Sequence, residues 1–334
     1  MTSDYFPGWE ELTANGDFQE SLHNRALALS RELFGGRVFV RGVVEVSNFC
    51  RENCHYCGMR RDNRALTRYR ARQEELAELL IHSRPGSITD INIQAGEDPV
   101  AVREVVLPLV RTLRRETPLG ISVCLGTLNS ALYGELQEAG ATIYILKFEL
   151  GTSARYAALE APGNFAERID HIRALAASGW RVSSGFIAGL PAETPDDLVA
   201  CFRLANSLPL SGCSVSPFVP GDQTPLGGSA TASIDLTLNC MAALRRMRPS
   251  WVIPAVSALN LAQPGAGYLR GLKTGANLCT INLTPDRWRE DYVLYKRDRF
   301  IMTEERILTA IQAAGLVPSR QSLAEFYLGS LTAC

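Results

Sequence analysis

Three cysteines within eight residues are the part of the sequence best suited to metal chemistry. Cys50, Cys54 and Cys57 follow a Cys-x3-Cys-x2-Cys spacing directly after an apolar, β-rich run. In a chain from a reducing compartment, thiols this close favour a metal site over a disulfide. A cubane of four irons that is held by three protein thiolates leaves its fourth iron open to another ligand. The spacing therefore predicts one 4Fe-4S cluster with a reactive iron.

Two other kinds of site compete with this interpretation. A zinc ion could take the same thiolates with His55 or a distant cysteine as fourth ligand, but structural zinc sites usually pair two short ligand clusters and the sequence has one. An electron-carrying ferredoxin would bind all four irons of its cluster and would not need a large domain. The other cysteines are expected to be mostly buried small hydrophobic residues. They are Cys124, Cys201, Cys213, Cys240, Cys279 and Cys334.

The elements that must position the cysteines follow an alternating pattern. Eight apolar, β-rich runs are separated by segments in which apolar residues recur with the period of an α-helix. This alternation is typical of a parallel sheet built from βα units. Eight is also the number of strands that closes a TIM-type barrel. Strands are expected at 38–46, 88–94, 119–125, 142–148, 181–187, 212–217, 251–256 and 277–283.

The pattern predicts a single α/β domain, a (βα)8 TIM-type barrel with an extension at each end. Residues 1–36 are expected to form an N-terminal helical plug across the barrel bottom, 37–283 the barrel, and 284–334 a lid segment and a C-terminal helix. The longest irregular segments, 218–233 and 284–300, both follow predicted strands, where the active sites of barrels gather. Both are therefore lid candidates.

Composition and charge narrow the range of partners. Hydrophobic residues make up 46% of the chain and charged residues 21%, which is the balance of a globular protein with a sizeable core. The net charge of −1 disfavours nucleic acid and anionic membranes as partners. The first twenty residues lack the pattern of a signal peptide, and no apolar run is long enough to span a bilayer. A cytoplasmic location is expected.

With the aromatic Tyr56 before the third cysteine, the triad resembles the signature of the radical S-adenosylmethionine (SAM) superfamily. The resemblance implies a radical SAM barrel in which the amino and carboxylate groups of SAM chelate the open iron. It also implies that the reduced cluster cleaves SAM to a 5′-deoxyadenosyl radical, and that a flavodoxin- or ferredoxin-type protein supplies the electron. The cofactors expected are thus one 4Fe-4S cluster and SAM.

Motifs after three later strands resemble the SAM-binding positions of the same superfamily. Gly96 and Glu97 stand where relatives bind the SAM amino group in a Gly-Gly-Glu motif, although Ala95 replaces the first glycine. An ordinary turn that leads into a helix is the alternative interpretation of that loop. Glu149 and Arg168 match positions that contact the SAM ribose and carboxylate, and a surface ion pair is the alternative interpretation there. The strand-five positions that resemble the adenine-contacting motif are Gly185, Ile187 and Gly189.

The resemblance covers nearly the whole chain and points to the biotin synthase branch, especially the hydrogenase maturase HydE and the methylornithine synthase PylB. The residues that carry it are 47–63, 96–99, 217–220, 224–226, 253–255, 275–277 and 284–285. Biotin synthase itself is disfavoured, because Asn92, Ser122 and Ser183 stand where it needs cysteines for a sacrificial cluster. Compared with HydE, Lys147 replaces an arginine and Ser257 belongs to a pair that replaces two threonines, so a different substrate is expected.

The resemblance implies hydrogen abstraction from a small, amino-acid-like substrate, followed by rearrangement or fragmentation. Lys147 and Ser257 are the candidate catalytic residues, with Arg287 and Arg289 of the lid as further basic candidates. The first alternative is a HydE-like maturase that acts on a sulfur- or metal-containing small molecule. The second is a non-catalytic iron-sulfur carrier.

Overall fold

Parallel strands and outer helices alternate along the chain in the computed structural model, which describes residues 5–295, 297 and 300–329. The strands are β1 (Arg37–Ser47), β2 (Asp90–Ala95), β3 (Gly120–Cys124), β4 (Ile143–Ile145), β5 (Arg181–Ala188), β6 (Gly212–Pro217), β7 (Leu278–Asn282) and β8 (Val317–Pro318). The helices are α1 (Trp9–Leu12), α2 (Gly16–Phe34), α3 (Gln73–His82), α4 (Pro99–Ala101), a π-helical turn (Val102–Val106), α5 (Leu107–Glu116), α6 (Ser130–Ala139), α7 (Ser153–Ala158), α8 (Phe165–Ala177), α9 (Pro195–Ser207), α10 (Ile234–Met247), α11 (Leu259–Ala262), α12 (Gly267–Lys273), α13 (Asp286–Arg289), α14 (Glu304–Ala313) and α15 (Leu323–Gly329). The expected α/β barrel architecture is confirmed.

The sheet closes into a ring through the segment predicted as the seventh strand. The strand order is β6-β5-β4-β3-β2-β1-β7, and all neighbouring strands are parallel. Between β6 and β7, single parallel bridges join Gly212 to Val252 and Pro254 to Leu278. Pro254 has no backbone N–H to donate, so this segment pairs at isolated points instead of along a ladder.

Alternation along β1 separates the two sides of the barrel wall. Val38, Val40, Val44 and Val46 face outward into the main hydrophobic core beneath the helices. The residues between them face inward, because successive side chains of a strand point to opposite faces. The outer helices start with side-chain caps where the sequence supplies them, as at Asn164, which accepts hydrogen bonds from two backbone N–H groups at the start of α8.

Polar side chains occupy much of the barrel interior. In most TIM barrels, bulky aliphatic residues fill this space in layers. Here the inward positions leave a cavity of about 380 Å³ that is lined in part by polar residues. Those contributed by the strands include Arg41, Glu45, Asn92, Gln94, Ser183, Ser214, Ser216, Thr280 and Asn282.

α15 lies at the end of the barrel where the strands begin, and its Leu323 and Tyr327 line the cavity there. α2 runs beside α10, where Gln19 and His23 each contact the side-chain oxygen of Asn239. Its last residue, Phe34, packs with Leu323 and Tyr327 of α15. Within the described residues, we find no helix whose length and apolarity would suffice to cross a membrane. Cys334 lies outside the described residues.

Candidate active site

The three cysteines of the predicted cluster site lie together in the loop that leaves β1, and all three line the cavity. Cys54 is buried, and Cys50 and Cys57 are half-buried. Backbone hydrogen bonds fix this loop from two sides. The Arg51 N–H donates to the carbonyl oxygen of Glu97 (3.2 Å), and the Gly58 N–H donates to that of Leu294 (3.1 Å). Segments distant in the sequence therefore hold the thiols at the mouth of the barrel.

Burial of the three thiols favours their neutral form unless a positively charged iron-sulfide core binds to them. Burial raises the pKa of all three thiols, in the case of Cys57 to about 12. Thiolates are the form that binds metal, so binding here would have to release protons and bring positive charge into the pocket. Among the described residues, no three His, Cys, Asp or Glu side chains converge on one point that could hold a single metal ion. In a cubane each thiolate binds a different iron, so no such convergence is needed.

Gly96 allows the loop after β2 to lie against the cysteine loop. The Gly96 N–H donates to the carbonyl oxygen of Ser47 (3.0 Å). A Cβ atom at position 96 would lie 2.2 Å from the Phe49 carbonyl oxygen and 2.9 Å from Cβ of Cys50. Only glycine tolerates this approach without a shift of backbone. Gly96 thus has a packing role beside the first cysteine, in addition to the role implied by its motif.

We expect Gly96→Ala to displace the first cysteine and to lower the iron content after anaerobic reconstitution severalfold. The control is Gly86→Ala, because no atom lies within 4 Å of a Cβ built at Gly86. Iron and sulfide assays with the absorption spectrum of the cluster measure the effect. Equal cluster loading in the two variants would contradict the packing argument.

Glu97 and Arg168 form a buried ion pair on the cavity wall. Nη1 of Arg168 lies 3.0 Å from Oε1 of Glu97, and the side chains are 4% and 6% exposed. Arg51 contacts the other carboxylate oxygen at 3.1 Å, and Thr127 accepts a hydrogen bond from Arg168. Burial alone would lower the pKa of Arg168, but nearby negative charge, chiefly that of Glu97, raises it above its ordinary value. A surface ion pair is therefore the wrong description of Arg168.

Lys147 and Glu149 follow β4 and continue its inward face toward the mouth of the barrel. Nζ of Lys147 lies 3.0 Å from Oε2 of Glu149. Burial would lower the pKa of Lys147, but Glu149 outweighs it and the pKa is raised. Glu149 has φ +62, a conformation that costs a non-glycine residue free energy. It is held there because its N–H donates to Gly185 and its carbonyl accepts from Ile187.

The predicted adenine-contacting positions divide into two groups. Ile187 lines the cavity. So does the buried Tyr56 of the cysteine motif, whose hydroxyl has no hydrogen-bond partner among the described residues. Gly185 and Gly189 are instead packed against protein. A Cβ would lie 2.1 Å from Oγ of Ser214 at the first and 2.4 Å from Cβ of Ala232 at the second.

Of the four candidate substrate residues, two line the cavity and two do not. Lys147 and Ser257 line the cavity. Arg287 is exposed and pairs with Glu75, and Arg289 pairs with Asp286 one helical turn before it. Neither arginine is among the cavity-lining residues.

Most of the residues that line the cavity were not predicted as site residues, and three of them could matter chemically. Arg41 and Glu45 stand at inward positions of β1, and Tyr295 enters from the segment after β7. Arg41 and Glu45 could have been predicted, because charged residues on one face of an otherwise apolar strand indicate a polar lining on that face. Tyr295 lies in an irregular segment, where the sequence has no periodicity that would indicate which way a side chain points.

Comparisons with known proteins agree on the family. The chain matches the Radical SAM superfamily over residues 44–205. It is 32% identical to the [FeFe] hydrogenase maturase subunit HydE of Thermotoga maritima over 86% of this chain and 82% of that protein. It is 27% identical to the 3-methylornithine synthase of Methanosarcina barkeri over 93% and 88% of the two chains. The crystal structure of methylornithine synthase (PylB) has the same fold, with a TM-score of 0.84, 23% identity and 97% of each chain covered. The chain therefore belongs to the radical SAM superfamily, a family of enzymes that use a 4Fe-4S cluster and SAM.

Proposed function

We propose that this enzyme holds one 4Fe-4S cluster on Cys50, Cys54 and Cys57 and directs radical chemistry at a small, amino-acid-like substrate inside the barrel. One observation carries the proposal: a single cavity is lined both by the three cysteines and by polar side chains deeper in the barrel. When bound, the reduced cluster and SAM supply a 5′-deoxyadenosyl radical that can abstract a hydrogen atom. We further propose a flavodoxin- or ferredoxin-type protein as the electron donor.

The residues proposed to hold SAM surround the thiols. Glu97 and Arg168 would bind its amino and carboxylate groups, since their buried pair presents one charge of each sign at the cavity wall. Glu149 would bind the ribose, and its strained backbone is held in advance by β5. Tyr56 and Ile187 would contact the adenine, with Gly185 and Gly189 shaping the strand beside it. This preformed set limits the reorganisation needed on binding.

Below these residues, Lys147 and Ser257 are proposed to contact the substrate. Polar walls suit a substrate with several hydrogen-bonding groups, because a buried polar group costs free energy unless it is paired. The relative named 3-methylornithine synthase supports an amino-acid-like substrate. The proposed outcome is rearrangement or fragmentation of that substrate after hydrogen abstraction.

The test is reductive cleavage of SAM by anaerobically reconstituted protein. With dithionite as reductant, we expect release of 5′-deoxyadenosine above that of a Cys54→Ala control, measured by mass spectrometry. Perdeuterated amino acids are then added one at a time, and the true substrate class should transfer deuterium into 5′-deoxyadenosine. A protein with a loaded cluster that neither binds nor cleaves SAM would contradict the proposal and favour an iron-sulfur carrier.

A second candidate is maturation of a metallocofactor, favoured by the 32% identity to HydE. In that case the adenosyl radical would add to a sulfur- or metal-containing small molecule. Covalent adenosyl adducts in the product mixture would favour this function, whereas free 5′-deoxyadenosine carrying substrate deuterium would favour the first.

A further inference from the structure

A third cation, Arg41, lies in the cavity well below the cysteines. It occupies an inward position of β1, six residues before the strand ends at Ser47. At about 3.3 Å per residue, this separation corresponds to roughly 20 Å along the strand. Its backbone is paired on one side with Thr280 of β7 and on the other with Asp90 of β2. The rigid part of the barrel wall therefore holds this guanidinium toward the closed end of the cavity.

Arg41 differs from the other cavity cations in having no acidic partner. Lys147 is paired with Glu149, and Arg168 is paired with Glu97. In the described part of the chain, no carboxylate lies within ion-pair distance of Arg41. Its only hydrogen bond there is a long one, 3.4 Å from Nη2 to Oγ1 of Thr280, and its Nε is buried without a partner.

Asp90 is the acidic group nearest in the sheet, and its oxygens are already used. Both accept from the Leu323 N–H, at 3.0 and 2.9 Å, and one also accepts from the Thr89 hydroxyl. Burial raises the pKa of Asp90 to about 6, so its negative charge is itself poorly stabilised there. Asp90 fixes the start of α15 and leaves the guanidinium of Arg41 without a direct contact.

We infer that Arg41 is the binding site for an anionic group of the substrate, a carboxylate, held at the end of the cavity remote from the cluster. A buried cation without a partner is costly, and a guanidinium matches a carboxylate with two parallel hydrogen bonds. Arg41 already lines a cavity in which such a group would fit. This inference rests on the proposed function, because it treats the lower cavity as the substrate site.

The inference changes the expected orientation of the substrate. Lys147 already has its counter-ion in Glu149, so it does not require a substrate carboxylate for charge balance. With the carboxylate at Arg41, the opposite end of the substrate would point up the barrel, past Lys147 and toward the cysteines. Arg41 would thus select substrates by charge and set which carbon approaches the radical.

The test compares butyrate with butyramide, two molecules of the same size of which only the first is charged. Binding is measured by ligand-observed NMR at fixed ionic strength, on protein with and without its cluster. We expect the wild type to prefer butyrate by about 10-fold, as for a hydrogen bond to a charged group, and Arg41→Gln to lose the preference. Arg41→Lys should keep part of the preference for butyrate, because lysine retains the positive charge but lacks the planar guanidinium that makes two parallel hydrogen bonds.

Two further measurements separate this site from a structural role. Arg287→Gln removes an exposed arginine outside the cavity and should keep the butyrate preference. Arg41→Gln should melt no lower than the wild type, because it removes a buried charge that has no acidic partner among the described residues. An unchanged preference in Arg41→Gln, or its failure to fold, would overturn the inference. Since binding is measured without SAM, the result is independent of whether SAM is cleaved.

Discussion

Cys54→Ala is expected to reduce 5′-deoxyadenosine formation to the level of a no-enzyme blank. Cys54 is the most buried of the three cysteines proposed to hold the cluster, and its loss leaves two thiolates for a cluster that is proposed to need three. The cluster absorption and the iron content after reconstitution should fall together with activity.

Cys240→Ala is the matched control for this prediction. Cys240 is completely buried in α10, on the core side of the barrel wall, and it does not line the cavity. We expect this variant to load iron and to cleave SAM at the wild-type rate, with a modest loss of stability from the deleted sulfur. Full SAM cleavage by Cys54→Ala would refute the assignment of the triad.

Arg168→Met should have the second-largest effect, on stability and on SAM binding together. It leaves the buried Glu97 with only the half-exposed Arg51 as a cationic partner. Breaking one side of a buried ion pair costs about 3–5 kcal/mol. We therefore expect a clear drop in the melting temperature and in the free energy of unfolding from urea titration, and no measurable SAM binding by calorimetry.

The same helix supplies the control. Arg173→Met removes an exposed arginine of α8 that pairs with Asp170, and should change stability little. The double variant Arg168→Met/Glu97→Gln removes the orphaned carboxylate charge, so it should recover much of the stability while SAM binding stays lost. Equal melting temperatures for Arg168→Met and Arg173→Met would contradict the buried-pair argument.

Periodicity and spacing predicted the barrel well because they reflect local physics. Strand β1 alternates strictly between a core face and a cavity face, and its outward valines are the apolar run visible in the sequence. The segment 251–256 was also predicted as a strand, but Pro254 limits its pairing to single bridges. The cysteine loop was predictable because its three ligands are close in sequence.

What could not be predicted depends on contacts between distant segments. The pairing of Arg168 with Glu97 joins residues 71 positions apart, and the burial of the pair is set by tertiary packing. Arg287 and Arg289 were chosen for their charge and their place in a lid candidate, and both instead pair with acids outside the cavity lining. In irregular segments the sequence has no periodicity, so the side of the chain to which a residue points cannot be inferred.

The two faces of the barrel wall differ in how freely their residues can change during evolution. The outward face of β1 packs against the helices, whereas its inward face lines a cavity that is open space in the protein alone. Substitutions at inward positions such as Arg41 therefore disturb few packing contacts, and the fold can tolerate them. New substrate preferences can thus arise by exchanging a few cavity residues while the core that holds the cysteine loop in place is inherited unchanged.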